Sequence, residues 1–160
     1  MHANPDPVMP TYSYFDSFSI ALTLWPSMGM TRAPLVTAEQ PSPELVQQAY
    51  AVVHEQYHLW RTSMPKYLGN QCMDVTTRLY GLLNSRGIKA DIVIGSVRTQ
   101  QSQFFNCDVP YLRDIATQLV DETAPIDLHA WITVGGDSVI DFALPSKLAR
   151  NHGAPADLMN

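Results

Sequence analysis

The chain has 160 residues, of which 46% are apolar and 16% charged, and its formal net charge at pH 7 is −5. This length and balance predict one globular domain with a sizeable core. The acidic balance, without a run of Lys or Arg, argues against binding to nucleic acid, and no apolar stretch has the length of a membrane span.

The two cysteines, Cys72 and Cys107, are too few for a disulfide scaffold in a chain of this size. The first residues contain neither a basic segment nor an uninterrupted apolar one, so no secretory signal is predicted. We therefore expect a reducing, cytoplasmic compartment, with export by a signal-independent route left open. The composition predicts no particular oligomeric state.

The N-terminal region, residues 1–40, is rich in Pro, Ser, Thr and Tyr. It is predicted to be extended or irregular, with a short strand near residues 18–24. The main folded part is expected over residues 41–145, and a weakly structured tail over residues 146–160. Together these parts are expected to form a single domain.

The first predicted helix starts at Pro43, with Ser42 as its N-cap and Pro43 at the first helical position. Its end is expected at or just before Pro65. Apolar residues recur at helical spacing and predict one buried face. These residues are Leu45, Ala49, Val52, Val53 and Trp60.

The second predicted helix starts at about Asn70 or Gln71 and ends near Arg86, where Gly87 is a natural left-handed C-cap. The alternating, β-rich residues 88–97 follow and predict a strand. Residues 99–107 are polar and predict a loop. The residues expected on the inner side of the helix are Cys72, Val75, Thr76, Leu79, Leu82 and Leu83.

A third helix is predicted over residues 108–122, and a hairpin over residues 128–142. The length of the hairpin loop decides which side chains share a face. A two-residue loop puts His129 and Asp141 on opposite faces, whereas a three-residue loop over 135–137 with a bulge puts them diagonally together. We predict the three-residue loop, in which Gly135 and Gly136 would supply positive φ angles.

Cys72 is the candidate nucleophile, because it lies in the first turn of the second predicted helix. A thiol attacks only as thiolate, and a free cysteine is mostly protonated at neutral pH. The unpaired N–H groups and dipole at a helix N-terminus favour the anion. A buried structural cysteine is the alternative interpretation.

His129 is the candidate base and Asp141 the candidate group that orients it. On the predicted strand, His129 shares a face with Trp131, while Ala130 and Ile132 belong to the core face. His129 is thus predicted to point to the side where a site can form. A solvent-facing histidine is the alternative.

These residues resemble the transglutaminase-like superfamily, in the papain-like group of cysteine enzymes. The resemblance rests on the residues 69–74, 82–90, 93–95, 129–131 and 139–142. It implies an α+β fold, in which an antiparallel sheet packs against the helix whose N-terminus carries the cysteine. The strand 93–95 and the compact size also resemble peptidases that cut leader segments from lasso-peptide precursors, although the insert over 99–127 departs from them.

The resemblance implies a cysteine-dependent amide hydrolase or acyltransferase acting on a peptide or protein, with Cys72 as nucleophile, His129 as base and Asp141 as orienter. No cofactor is expected. Family members include peptidases, amidases, deamidases and transglutaminases, so the reaction stays open. The expected oxyanion donors are the Cys72 backbone N–H and one side chain, for which the candidates are Gln71, Asn70 and Trp60; Trp131 is expected to form a wall of the site.

A competing motif is the H-E-x-x-H sequence of His54, Glu55 and His58. On a helix, two histidines four residues apart can bind zinc, with the glutamate as general base of a metallopeptidase. Both histidines lie opposite the predicted apolar face, which favours a solvated surface, and no third ligand follows at a familiar spacing. The zinc peptidase and a catalytically inactive interaction module of the same fold are the two alternatives.

Overall fold

A computed structural model of the chain describes residues 13–29, 31–60, 68–98, 103–105, 107–118 and 128–152. In these segments the architecture is α+β, with helices around a small antiparallel sheet. The helices are α1 (Tyr14–Leu24), α2 (Pro43–Trp60), α3 (Cys72–Ser85), α4 (Val109–Gln118) and α5 (Ala143–His152), with a short 3₁₀ helix at Trp25–Met28. The strands are β1 (Asp91–Gly95), β2 (Val97–Arg98), β3 (Gln103–Phe104), β4 (His129–Thr133) and β5 (Val139–Ile140).

The main sheet has the order β1-β4-β5, with antiparallel pairing throughout, and β2 pairs with β3 in a separate ladder. β4 is therefore the central strand, and all five of its residues are buried. α3 packs against β4 and β1, and Thr76 donates a hydrogen bond to the Ala130 carbonyl at 3.2 Å. The core comprises Ala49, Val53, Leu68, Val75, Leu79, Leu83, Ile88, Ala90, Ile132 and Val134.

Several local predictions are confirmed. The Ser42 hydroxyl accepts a hydrogen bond from the Leu45 backbone N–H at 3.2 Å, as an N-cap should. Gly87 has a φ of 79°, which suits a glycine at the end of a helix. α4 begins where expected, with Asp108 accepting from the Tyr111 N–H at 2.8 Å. The predicted helix ends near Pro65 and Glu122 lie outside the described residues.

The expected strand near residues 18–24 is wrong, because α1 occupies this stretch. A capping box starts the helix: the Ser13 hydroxyl accepts from the Asp16 N–H at 3.1 Å, and the Asp16 carboxylate accepts from the Ser13 N–H at 3.2 Å. This paired signal outweighs the β-branched and aromatic residues that follow it.

The expectation of a weakly structured tail over residues 146–160 is wrong for residues 146–152, because α5 continues to His152, and the rest of the predicted tail lies outside the described residues. Its first backbone N–H groups, those of Ala143 and Leu144, donate to Asp141 Oδ1 at 3.0 and 3.1 Å. Pro145 lies in the first helical turn, where a missing N–H costs no hydrogen bond. The wider division of the chain into domain regions stays a prediction.

The loop between β4 and β5 has three residues, as predicted. The Val134 N–H donates to the Ser138 carbonyl at 3.0 Å, and Ile132 pairs with Ile140. Neither Gly135 nor Gly136 has a positive φ, so the stated reason for these glycines is wrong. Neither position has room for a side chain, because the segment 38–41 lies against both glycines. A Cβ on Gly135 would be 2.7 Å from Pro41 Cδ.

The face of β4 that carries His129 is covered. The prediction that only the Ala130 and Ile132 face is buried is therefore wrong. His129, Trp131 and Thr133 are all buried, as are Ala130 and Ile132 on the other side. Tyr14 of α1 packs on Trp131, and Phe105 packs on His129. Within the described segments, no helix is both long and apolar enough to cross a membrane.

Candidate active site

Cys72 is the first residue of α3, so its side chain lies at the positive end of the helix dipole. A tight turn leads into it: the Gln71 N–H donates to the Leu68 carbonyl at 2.8 Å. The Leu68 N–H in turn donates to the Ser146 hydroxyl of α5 at 3.0 Å. The Cys72 thiol is partly exposed and its sulfur lies 3.7 Å from the Leu128 carbonyl oxygen, immediately before β4.

His129 is the first residue of β4, and its side chain is only 1% exposed. Its Nε2 donates a hydrogen bond of 2.6 Å to Oδ2 of Asp141. The three-residue loop creates this contact, because the β4–β5 register continues to bring residue 131 opposite 141 and makes His129 the diagonal neighbour. The predicted juxtaposition of these two side chains is therefore present.

Asp141 has a second set of partners that the sequence did not predict. Oδ1 accepts from the backbone N–H groups of Ala143 and Leu144, while Oδ2 accepts from His129. The carboxylate thus both caps α5 and orients the imidazole. Three donors fix its position.

The electrostatics of the pair favour a proton on the imidazole. Burial alone would lower the His129 pKa, but the hydrogen bond to Asp141, the contact with Cys72 and both negative charges raise it from 6.5 to about 9. The contact with His129 also lowers the pKa of the Cys72 thiol from its ordinary value of 9.0, against partial burial, which raises it. The two shifts agree in direction and favour a thiolate–imidazolium pair.

The remaining ring nitrogen of His129, Nδ1, is buried and makes no hydrogen bond of ordinary geometry with the described residues. The lowered Cys72 pKa nevertheless includes a hydrogen-bonding contribution from this imidazole. With Nε2 engaged by Asp141, the Nδ1 edge is the one left for the thiol. The thiol and the imidazole are thus close enough for each to shift the pKa of the other, without a formed hydrogen bond between them.

Trp131, expected as a wall, lies beside the imidazole with its ring centroid 5.6 Å from that of His129. Its Nε1 donates to the Tyr14 hydroxyl of α1 at 3.2 Å. Gly95 of β1 lies opposite His129 and leaves room for this ring, since a Cβ there would approach Trp131 to 2.9 Å. Tyr14 and Gly95 were missed by the sequence analysis.

The three candidate side chains for the oxyanion site are placed differently. Gln71 occupies the N-cap position of α3 without a capping hydrogen bond from its side chain, next to Cys72. Asn70 is exposed in the preceding turn. Trp60 is the last residue of α2 and packs against the hydrophobic core. Gln71 is thus the best placed of the three to act together with the Cys72 backbone.

The H-E-x-x-H motif lies on an exposed face of α2, as the solvated-face interpretation predicts. His54, Glu55 and His58 are all exposed, and the two Nε2 atoms are 3.2 Å apart, close enough for one ring to donate a hydrogen bond to the other. Within the described part of the chain, no group of three or more His, Cys, Asp or Glu side chains is arranged to hold a metal ion. The motif therefore has no third ligand there.

An open groove lies at the other end of β4 from His129, beside the β4–β5 loop. It is lined by Phe15, Ala38, Glu39 and Gln40. The Gly136 N–H donates to the Glu39 carbonyl at 2.9 Å, and this hydrogen bond joins the segment that lines the groove to the β4–β5 loop. The groove contains none of the three triad candidates.

Comparison with protein-family models, curated proteins and solved structures finds no match to this chain. The function must therefore be inferred from the chemistry of the site itself, because an α+β fold alone supports many activities.

Proposed function

We propose that this protein is a cysteine-dependent amide hydrolase or acyltransferase with a papain- or transglutaminase-like core. One observation carries the proposal. The imidazole that Asp141 orients through a 2.6 Å hydrogen bond is the same one that lowers the pKa of Cys72 at the start of α3. A nucleophile, a base and an orienting carboxylate in this relation are the parts that thiol acyl transfer requires.

The nucleophile is Cys72, and two effects stabilise its thiolate. The N-terminus of α3 places unpaired N–H groups and a partial positive charge beside it. His129 adds a full positive charge while its pKa stays near 9. Cys72 as a residue is only partly buried, as a nucleophile that must meet a substrate requires.

The reaction proceeds through a thioester. The Cys72 thiolate attacks the amide carbonyl carbon and forms a C–S bond, and protonated His129 then gives its Nδ1 proton to the nitrogen as the C–N bond breaks. Water, or a second amine in acyl transfer, next gives a proton to His129 and attacks the thioester, which releases the Cys72 thiolate. The substrate class we propose is a peptide or a protein side-chain amide.

The negative charge on the carbonyl oxygen needs donors during each addition. The backbone N–H of Cys72 is at the first helical position, where no earlier carbonyl of the helix can accept from it. The Gln71 side chain supplies the second donor in this proposal. Loss of one such donor typically costs about 10²–10³ in rate.

The pH dependence of Cys72 alkylation by iodoacetamide tests this proposal, with each cysteine followed by peptide mass. The urea-denatured protein supplies the rate of an ordinary thiol. At pH 6 we expect native Cys72 to react at least about tenfold faster than this reference, and His129→Ala to remove most of the difference. Native rates that follow the denatured reference in both proteins would contradict the thiolate–imidazolium pair.

One observation favours a second candidate, a catalytically inactive interaction module. Nδ1 of His129, the atom that must reach the leaving amine, is buried. A module of this kind would keep the His129–Asp141 bond as a structural element and leave Cys72 with ordinary reactivity. The alkylation profile therefore separates the two candidates as well.

A further inference from the structure

Phe105 has an unusual backbone conformation beside the candidate site. Its φ is 58°, in the left-handed region, and among the described residues it is the only one other than glycine with a positive φ. A bulky residue adopts this conformation only when its surroundings hold it there, since the conformation is sterically unfavourable. The Cys107 N–H donates to the Phe105 carbonyl at 2.9 Å and to the Ser96 hydroxyl at 2.9 Å, which ties the Phe105 backbone to Ser96 through Cys107.

The Phe105 side chain points to His129. The two rings are nearly parallel, with centroids 4.9 Å apart and an interplanar angle of 15°. Lys147 of α5 lies over the Phe105 ring, with its Nζ 4.1 Å from the ring centroid. The left-handed backbone of Phe105 and the α5 cation thus both hold one aromatic ring against the imidazole.

The imidazole needs such a second restraint. The bond from Nε2 to Asp141 fixes one edge of the ring, but the torsion between Cβ and an aromatic ring has a broad energy minimum. A flat ring stacked on the imidazole restricts this rotation and so directs the Nδ1 edge. Without the restraint, the ring can tilt about the Asp141 hydrogen bond and move Nδ1 away from Cys72.

We infer that Phe105 is a positioning residue for His129, held by its left-handed backbone and by Lys147 so that the imidazole stays aligned with both Cys72 and Asp141. The inference rests on the proposed function and adds to it a residue from the segment 99–107, which was expected to be a polar loop. The charged or titratable groups facing the imidazole and its covering rings are Cys72 of α3, Asp141 after β5, Lys147 of α5 over Phe105, and Tyr14 of α1 beside Trp131.

The first test compares Phe105→Ala, Phe105→Leu and Phe105→Tyr in the iodoacetamide assay of Cys72. Leucine keeps an apolar side chain without a flat ring, and tyrosine restores the ring. We expect Ala and Leu to raise the apparent Cys72 pKa and to slow alkylation at pH 6 by up to about tenfold, and Tyr to remain within about twofold of wild type. A Leu variant as fast as wild type would show that only bulk matters and would overturn the stacking role.

The second test follows His129 itself by NMR and does not depend on reactivity. The Nε2–H proton bonded to Asp141 should give a downfield signal that exchanges slowly with water in wild type and in Phe105→Tyr. In Phe105→Leu, and in Phe105→Ala where that variant folds, the signal should broaden or exchange several-fold faster. Identical exchange in wild type and Phe105→Leu would overturn the inference.

The two tests separate the inference from the proposed function. Ordinary reactivity of wild-type Cys72 contradicts the proposed function, and the NMR comparison still decides whether Phe105 holds the imidazole. Fast wild-type reactivity with an unchanged profile in Phe105→Leu contradicts only the positioning role. Lys147→Met is the matched second variant, and we expect a smaller slowing of about two- to threefold because the ring keeps its backbone turn.

Discussion

The two histidine motifs of this protein share a residue type and differ in almost every physical respect. His129 is buried, donates to a carboxylate and lies near a thiol, whereas His54 and His58 are exposed on α2 and face each other. The H-E-x-x-H motif is the more recognisable sequence pattern, but the His129 site has the more complete set of partners. A histidine's chemistry thus follows from its neighbours and its burial more than from its spacing in the chain.

The largest expected difference between the His129 site and the exposed His54–His58 face of α2 is in how much stability is lost when a carboxylate is removed. Asp141→Ala removes the partner of buried His129 and the cap of α5 together, and breaking such a buried pair costs about 3–5 kcal/mol. Glu55→Ala, on the exposed face of α2, should change the free energy of unfolding by less than about 0.5 kcal/mol. Urea denaturation of both variants measures this, and equal effects would remove the contrast.

The pH dependence of stability is the next largest effect. The folded-state pKa of His129 is raised to about 9 from 6.5, so its stabilising contribution is complete below pH 6.5 and is lost as the pH rises through 9. The contribution is on the order of 3 kcal/mol. The lowered pKa of Cys72 acts in the opposite sense: its contribution is present above the unfolded pKa and is lost as the pH falls through the folded pKa.

Unfolding free energies of Cys72→Ala and Cys72→Ala/His129→Gln between pH 5.5 and pH 10 check this sign, because both proteins lack the opposing contribution of the thiol. The difference between the two proteins should shrink as the pH rises above 6.5, because the hydrogen bond to Asp141 still raises the His129 pKa. Ser42→Ala, which removes no titratable group, is the control and should keep the wild-type pH dependence over this range. A difference that grows with rising pH would contradict the assignment of a raised His129 pKa.

Zinc binding is a further property in which the His54–His58 pair and the His129 site should differ, and the expected effect is smaller. We expect the exposed pair on α2 to bind zinc weakly, because two imidazoles supply only half of the usual four ligands. Purified protein should then lack stoichiometric zinc, and EDTA should leave the Cys72 alkylation profile unchanged. Stoichiometric zinc that disappears in His54→Gln would instead support the metallopeptidase alternative.

The smallest expected effect concerns the cap of α2. Ser42→Ala removes the hydrogen bond to the Leu45 N–H and should lower the free energy of unfolding by about 1 kcal/mol. The Cys72 alkylation profile should not change, because α2 contributes no group to the His129 pairing. Thermal denaturation and the alkylation assay on the same variant measure both, and a shifted profile would show that the two regions are coupled.

Local sequence signals predicted many of the helix and strand positions and the pairing of His129 with Asp141 in the candidate site. Ser42, Gly87 and the three-residue loop before β5 are recognisable because capping and hairpin geometry depend on a few adjacent residues. The loop length alone placed His129 beside Asp141. The capping box at Ser13 carries the same kind of signal, and it was overlooked in favour of the β-rich residues that follow.

The amino-acid sequence alone was enough to predict a helix start within two residues of Cys72 and the loop length that brings His129 to Asp141, because both follow from contacts close in the chain. The α+β class was predicted from the family resemblance and is present in the described segments. Three features became visible only in the folded protein: the covered His129 face of β4, the capping of α5 by Asp141, and the stacking of Phe105 between His129 and Lys147. These contacts join residues far apart in sequence, whose meeting depends on how all the elements pack. No local pattern records which aromatic ring will cover a given histidine.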